Sequence, residues 1–388
     1  MKKLIALLLA LVLCLGLFAA CGTKEEAKEE APAATTEAPA EEAAPAEEAE
    51  EAPAEEEAAP AEEEAAPAEV TADTAEYTLI FAHDHTIESP FNQASQWYKQ
   101  ELEARSGGRI YVEVYPAGQL GNARETIEMV QMGSAQACLL PTAKFSGFTG
   151  GLNLADMPFL VETEEDFLEL FNGPIGQEAM ADLVDIGIKG MAYFPEGFKY
   201  TTNNVKPITC PDDMKGMKIR TMESAIIMAQ FESWGCNPVP IDFTELYNSL
   251  QQNVVDGQEN PLLSIHDMKF YEVQKYMTID SHAYLSYFLC YNNDWFNALP
   301  ADLQELVTEV SMEAKDLSYE LMQEANAGYL QTIKDSGVEV YELTEEETAL
   351  FKEAVQPVYE EFADLIGEDL LNRAVEESAK IAEARKAG

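Results

Sequence analysis

An alternation of strand, helix, strand, helix and strand, read from Tyr77 onward, constrains the fold of this chain more than any other feature. Tyr77–Ala82 is an apolar run of strand length. Ser89-Pro90 then supplies a helix N-cap and a first-turn proline. Phe91, Ala94, Tyr98 and Leu102 follow at helical spacing, and Gly107-Gly108 closes the helix. Ile110, Val112 and Val114 alternate as a second strand. Asn122–Met132 is a second helix stopped by Gly133, and Gln136–Leu140 is a third strand. Strands joined through helical crossovers lie parallel in one sheet. Helices over Glu164–Phe171 and Ile175–Ile186 and a strand over Lys189–Phe194 extend the pattern. The class is α/β.

A second region begins near Gly197. DMKGMKIR (Asp213–Arg220) reads as a turn at Gly216 feeding a short strand that delivers Arg220 at its carboxyl end. Pro238–Asp242 has strand character, and Asp242 with Glu245 reads as a capping box opening a helix through Leu250. VVDGQEN then places a turn at Asp256-Gly257 ahead of Asn260. Ser286–Tyr291 returns as a strand to the first region, and from Asp302 a helix of about 30 residues runs on. A length of 388 residues exceeds one small domain, so two lobes joined by more than one crossover are expected. Ligands of open α/β sheets bind beyond the carboxyl ends of strands. Arg220, Asn260 and the triplet His83-Asp84-His85 each stand just past such an end.

The N-terminal part is of another kind. Lys2-Lys3, the apolar run Leu4–Ala20 and Cys21 read as a signal peptide (1–20), with Ala19-Ala20-Cys21 resembling a bacterial lipobox. Phe18 stands where leucine is commoner, and ordinary secretion after Ala20 is the alternative. Residues 22–69 repeat Ala, Glu and Pro, with EEEAAPA at Glu55–Ala61 and again at Glu62–Ala68. The seven-residue period is not a coiled coil, because Pro53, Pro60 and Pro67 interrupt it and no Leu or Ile fills an inner position. Residues 21–75 therefore read as a lipidated cysteine and a charged, disordered tether, spanning ~40 Å as a flexible coil.

Charge excludes some partners. The formal net charge is −47, and the part from residue 76 onward keeps 52 acidic against 20 basic residues. Such a field repels nucleic acids and anionic membrane surfaces. Of six cysteines, Cys138, Cys210, Cys236 and Cys290 remain after Cys14 and Cys21 are set aside. An exported protein accommodates disulfides, but their pairing is not legible in the sequence. No GxSxG, HExxH, GxGxxG or P-loop string occurs.

Several strings together resemble the solute-binding proteins of TRAP (tripartite ATP-independent periplasmic) transporters. They are SGGRIYVEVYPAGQLG (Ser106–Gly121), ADMPFLV (Ala155–Val161), EGFKYTTNN (Glu196–Asn204), Asp213–Arg220, Pro240–Pro261 and KFYEVQKY (Lys269–Tyr276). The resemblance implies a two-lobed fold of the periplasmic-binding-protein type (type II), with central mixed sheets and a long lobe-bridging helix. Lobe I would comprise 76–196 plus 286–326, and lobe II 197–285 plus 327–388. A small organic acid would be captured between the lobes by hinge closure and passed to a membrane permease driven by an ion gradient. The protein would be extracytoplasmic and lipid-anchored, without cofactor or metal and without enzymatic activity.

The resemblance also assigns residues. Arg220, in the KGxKxR motif, would clamp the ligand carboxylate through its fork of donors; read alone, it is a surface arginine after a strand. Asn260 would offer its amide to the same carboxylate, or else satisfy its own turn. Phe243 would lie on the ligand or simply in the core. Glu223 would accept from ligand hydroxyls or complement a helix dipole. Lys199 occupies a place where the family usually carries arginine, which keeps the charge and loses the bidentate fork. Arg124 and His83 complete the candidate ligand contacts. Ala123 and Pro141 do not match the sialic-acid-binding branch. Two rival functions are a metal-assisted hydrolase using His83, Asp84 and His85, and the ligand-binding component of a sensor.

Overall fold

The computed structural model describes residues 70–387. The expected signal peptide, Cys21 and the expected tether up to residue 69 lie outside the described residues. The described strands are β1 (Tyr77–His83), β2 (Ile110–Tyr115), β3 (Ala137–Pro141), β4 (Ile188–Phe198), β5 (Tyr200–Asn203), β6 (Lys218–Thr221), β7 (Asn237–Pro240), β8 (Gly257–Asn260), β9 (Tyr276–Ile279), β10 (Tyr284–Asn292) and β11 (Glu339–Glu342). They form two sheets, ordered β2-β1-β3-β10-β4 and β11-β9-β5-β8-β6-β7.

The opening alternation does build a parallel core, since β1 pairs parallel with both β2 and β3. Local chemistry sets its helices. Ser89 accepts from the Asn92 amide ahead of helix Pro90–Arg105. Asn122 and Glu125 complete a reciprocal capping box on helix Ala123–Met132, and Gly133 closes it at φ 75° in the left-handed region. Strand β10 then enters from far along the chain and runs antiparallel to β3 and β4, so the sheet is mixed. The helix expected over Ile175–Ile186 is interrupted. It forms as helix Pro174–Ala179 and a 3-10 turn Ala181–Ile186, broken at Met180, whose φ −98° and ψ 0° leave the helical region. Gly151 approaches here so closely that a Cβ on it would stand 2.3 Å from the Ala179 carbonyl oxygen.

The second sheet is also mixed. β6 pairs parallel with β7 and β8, whereas β5 is antiparallel to β8 and β9. Pro238 and Pro240 lie on β7, the edge strand, where a missing N–H breaks no ladder on the outer side. Gly257 opens β8 between two neighbours, and a Cβ there would meet the Thr202 carbonyl oxygen at 2.2 Å. The expected capping box at Asp242 is replaced by a tighter turn. Asp242 Oδ1 accepts from the Thr244 amide and hydroxyl, and a 3-10 turn Phe243–Glu245 leads into helix Leu246–Gln251.

The chain passes from the first sheet to the second between Phe198 and Tyr200, and returns between Ile279 and Tyr284. Helix Ala301–Asp335 buries Leu303, Val307, Val310, Ala314 and Met322 at helical spacing. It packs on helix Pro90–Arg105 and β4, and farther along on helix Leu262–Asp267, so it touches elements of both lobes. The last two helices each pack on one of these layers. Gln356–Ile366 lies on helix Ala225–Ser233, and Glu368–Ala387 lies on helix Glu164–Asn172.

Candidate functional site

Arg220 ends up in an unusual position for a cation. It sits near the end of β6, flanked by Val239 on β7 and Gln258 on β8, and it is 0% exposed. Its Nε donates to the Ile241 carbonyl at 2.9 Å. Its two terminal nitrogens, Nη1 and Nη2, are buried and have no hydrogen-bond partner among the described residues. Burial lowers the Arg220 pKa, and the field of Glu259, Asp242 and Asp84 opposes that fall. Two buried, forked donors without a protein acceptor cost free energy in the isolated protein. A carboxylate matches their geometry.

The pocket facing Arg220 draws on both sheets. Phe243, Met222 and Asn260 belong to the second lobe; Asp84, Pro141, Lys144, Leu285 and Tyr287 belong to the first. It is tight, with about 10 Å³ of free volume, enough for about one water. It adjoins a larger cavity of about 640 Å³ that Lys144 also lines, together with Arg124, Glu223 and Asp242.

Asn260 is held by a relay of side-chain amides. It lies two residues beyond Gln258, the register partner of Arg220, so one pleat repeat of about 7 Å separates the two levels. Its Nδ2 donates to Gln258 Oε1, Gln258 Nε2 donates to Thr202 Oγ1 at 2.9 Å, and Thr202 Oγ1 donates to Gln274 Oε1 at 3.0 Å. One amide hydrogen of Asn260 is thereby committed and the other remains. Phe243 presents its ring edge-on to His85, with centroids 6.0 Å apart.

Of the polar pocket residues, Lys144 and Tyr287 escaped the sequence reading, and Asp84 entered it only within the His-Asp-His triplet of the hydrolase reading. Lys144 follows β3 in the 3-10 turn Thr142–Phe145. Among the described residues it makes no ion pair or hydrogen bond, and burial with the neighbouring Arg220 charge lowers its pKa. Asp84 accepts from the Tyr287 hydroxyl at 2.9 Å. Burial raises its pKa, against the pull of His85 and Lys144. Lys144 and Asp84 were accessible to the strand-end rule, applied to β3 and to the middle of the His-Asp-His triplet. Tyr287 was not, because every residue of β10 is buried and no alternation marks its face.

Four predicted contacts do not line this pocket. His83 is buried, with Nε2 3.2 Å from Asn92 Oδ1 on helix Pro90–Arg105. Burial and the nearby His85 lower its pKa to about 3, so it is neutral at physiological pH. Lys199 is also 0% exposed, and its Nζ lies 3.2 Å from Glu259 Oε2. Glu259 Oε2 in turn lies 3.6 Å from His282, and His282 Nδ1 lies 2.9 Å from Asp280. Thr201 Oγ1 donates to Asp280 Oδ2 at 2.6 Å, closing a buried ionic chain across the crossover strands. Asp156 borders this chain, and burial raises its pKa to about 7 despite the Lys199 charge. Lys199 thus faces a carboxylate of its own chain. Arg124 pairs with Glu128 at 3.2 Å on its own helix, and it and Glu223 line only the larger cavity. Among the described residues no group of three or more His, Cys, Asp or Glu converges as metal ligands, and the hydrolase reading goes no further.

Comparison with known proteins matches this geometry to a family. The family described as DctP, bacterial extracellular solute-binding protein, family 7, matches residues 81–365. The C4-dicarboxylate-binding periplasmic protein DctP of Rhodobacter capsulatus is 33% identical over 293 residues, covering 75% of this chain and 88% of the relative. The C4-dicarboxylate-binding protein DctB of Bacillus subtilis is 31% identical over 301 residues, covering 77% and 86%. A solved TRAP periplasmic solute binding protein from Sulfurospirillum deleyianum, with bound succinate, is similar with TM-score 0.73 and 30% identity, over 77% of this chain and 98% of that one. Another from Desulfovibrio salexigens, with bound orotic acid, gives TM-score 0.75 and 31% identity, over 79% and 99%.

Proposed function

We infer the solute from two facts: this chain belongs to the DctP family of bacterial extracellular solute-binding proteins, and its Arg220, whose two terminal nitrogens are buried without a hydrogen-bond partner among the described residues, lines a pocket between two lobes. It is a solute-binding protein of a TRAP transporter, acting outside the cytoplasm, and it captures a small organic acid for a membrane permease. It is not an enzyme. The solute we assign is a small dicarboxylate. One carboxylate takes the fork of Arg220 and the free amide hydrogen of Asn260, with Phe243 against its carbon skeleton. The second carboxylate meets Lys144, a cation of the opposite lobe that lines the pocket and has no ion-pair partner among the described residues. Asp84 disfavours a dianion, but burial moves it toward its neutral form and Lys144 offsets what charge remains. Curated relatives that bind C4-dicarboxylates support the same reading.

The tightness of the pocket means that entry needs the lobes to part. We assign the hinge to the two crossings at Phe198–Tyr200 and Ile279–Tyr284, and closure to a ligand that touches both lobes. The test of the dicarboxylate is Lys144→Gln, titrated by calorimetry with succinate and with its monoamide. Succinate affinity should fall by ~1–3 kcal/mol, the range for a hydrogen bond to a charged group, while the monoamide loses little. Equal losses for both, or none, would remove Lys144 from recognition.

We also propose that the exported chain is anchored through a lipidated Cys21. An acyl-modified cysteine gives the two-chain attachment that stable membrane binding requires. Cys21→Ser should move the protein from the membrane fraction to the soluble or extracellular fraction. Identical partition of variant and wild type would show ordinary secretion instead.

A further inference from the structure

The cysteines left unpaired by the sequence reading are sorted by the fold. Cys138 on β3 and Cys290 on β10 are direct register partners in an antiparallel pair. Both are fully buried, and their sulfurs stand 3.4 Å apart. The other two thiols are engaged elsewhere. Cys210 Sγ donates to Asp213 Oδ2 at 3.5 Å, and Cys236 Sγ donates to the Met214 carbonyl at 3.6 Å. The pair lies in a family that works outside the cytoplasm, where disulfides form and persist.

We propose that Cys138 and Cys290 join as an intramolecular disulfide when the exported chain folds, stapling β3 to β10. The thiols are free in this structure. Bond formation requires the sulfurs to close to about 2.05 Å, which small rotations about both side chains supply across directly opposed strands. The step is thiol–disulfide exchange. One thiolate attacks the disulfide of an extracytoplasmic thiol oxidoreductase, and the second thiolate resolves the mixed disulfide. The two thiol protons and the two electrons leave with the oxidoreductase as its dithiol. Exchange precedes burial, because neither sulfur is reachable in the folded protein. The contact with Cys290 and burial together raise the Cys138 pKa, so the folded pair offers little thiolate for later reaction.

The staple has a place in the binding geometry. β3 ends at Pro141 and leads to Lys144, and β10 carries Leu285 and Tyr287; all four line the pocket. A covalent tie between these strands fixes the first-lobe wall against which the ligand closes. It also closes a very long loop of chain in the unfolded state, the arrangement in which a cross-link narrows that ensemble most.

The test uses the full chain, folded with glutathione disulfide or exported into an oxidising compartment, then denatured without reductant and alkylated. Peptide mapping should find Cys138 linked to Cys290, two hydrogens lighter than the separate thiols, with Cys210 and Cys236 alkylated. The guanidinium midpoint of this protein should fall when it is refolded with reductant, whereas that of Cys290→Ala should not respond to reductant. Alkylation of both Cys138 and Cys290 after oxidative folding, or linkage of either to Cys210 or Cys236, overturns the proposal. The mapping is read on the wild type, so it stands even if the variant fails to fold.

Discussion

Arg220→Ala should weaken binding of succinate by ~3–5 kcal/mol, a few hundredfold or more, because the carboxylate would be buried opposite no cation. Arg220→Lys should recover only part, since an ammonium cannot make two parallel bonds to one carboxylate. The free protein should behave differently. Sequence alone makes Arg220 a cleft residue outside the core, yet it is fully buried with Nη1 and Nη2 unpartnered. Arg220→Met removes a desolvated charge and, against that, deprives the Ile241 carbonyl of its donor. Its unfolding free energy should therefore stay within about 1 kcal/mol of wild type while affinity is lost. The pairing of calorimetry with denaturant melts separates the two effects. Retained affinity in Arg220→Ala, or equal wild-type affinity for acid and monoamide, would place the clamp elsewhere.

Lys199 should give the opposite pattern, with stability lost first. Lys199→Met strands Glu259 as a buried carboxylate with His282 and Arg220 as its remaining cationic neighbours. Removing one partner of a buried pair costs ~3–5 kcal/mol, and the double change Lys199→Met with Glu259→Gln should restore a measurable part of it. Burial raises the Glu259 pKa, but Lys199, His282 and Arg220 together carry it below its usual value. A carboxylate depressed in the folded state stabilises above its unfolded pKa, and that contribution fades as pH falls through the folded value. The wild-type advantage over Lys199→Met should accordingly hold at neutral pH and shrink in acid. A variant with wild-type stability and weakened binding would restore Lys199 to the site.

The two residues show why one part of the site was legible and another was not. Arg220, Phe243 and Asn260 stand in strings whose order resembles a family, and the strand-end rule puts Arg220 and Asn260 at a cleft. Lys199 stands in such a string too, but its charge is answered from within by Glu259, and only the pairing of β5 with β8 brings those residues together. His83 is engaged from within in a similar way. It ends a strand on the expected side, yet Asn92 reaches it from the following helix, and Asp84 is the residue that lines the pocket.

What the sequence determined by itself was local and periodic. Caps and glycines fixed helix ends at Ser89, Asn122 and Gly133. Apolar spacing fixed the parallel start of the first sheet, and Pro238–Asp242 was legible as a strand. The tertiary structure decided everything that depends on contact between distant segments. It inserted β10 antiparallel between β3 and β4, which brought Tyr287 to Asp84 and Cys290 to Cys138. It set Lys144 across from Arg220, and it gave Lys199 a carboxylate, Glu259, at ion-pair distance while leaving the fork of Arg220 without one among the described residues. The physical reason is that side-chain identity states what charge a residue can offer. Whether that charge remains available depends on which partner the fold places within a few ångströms of it.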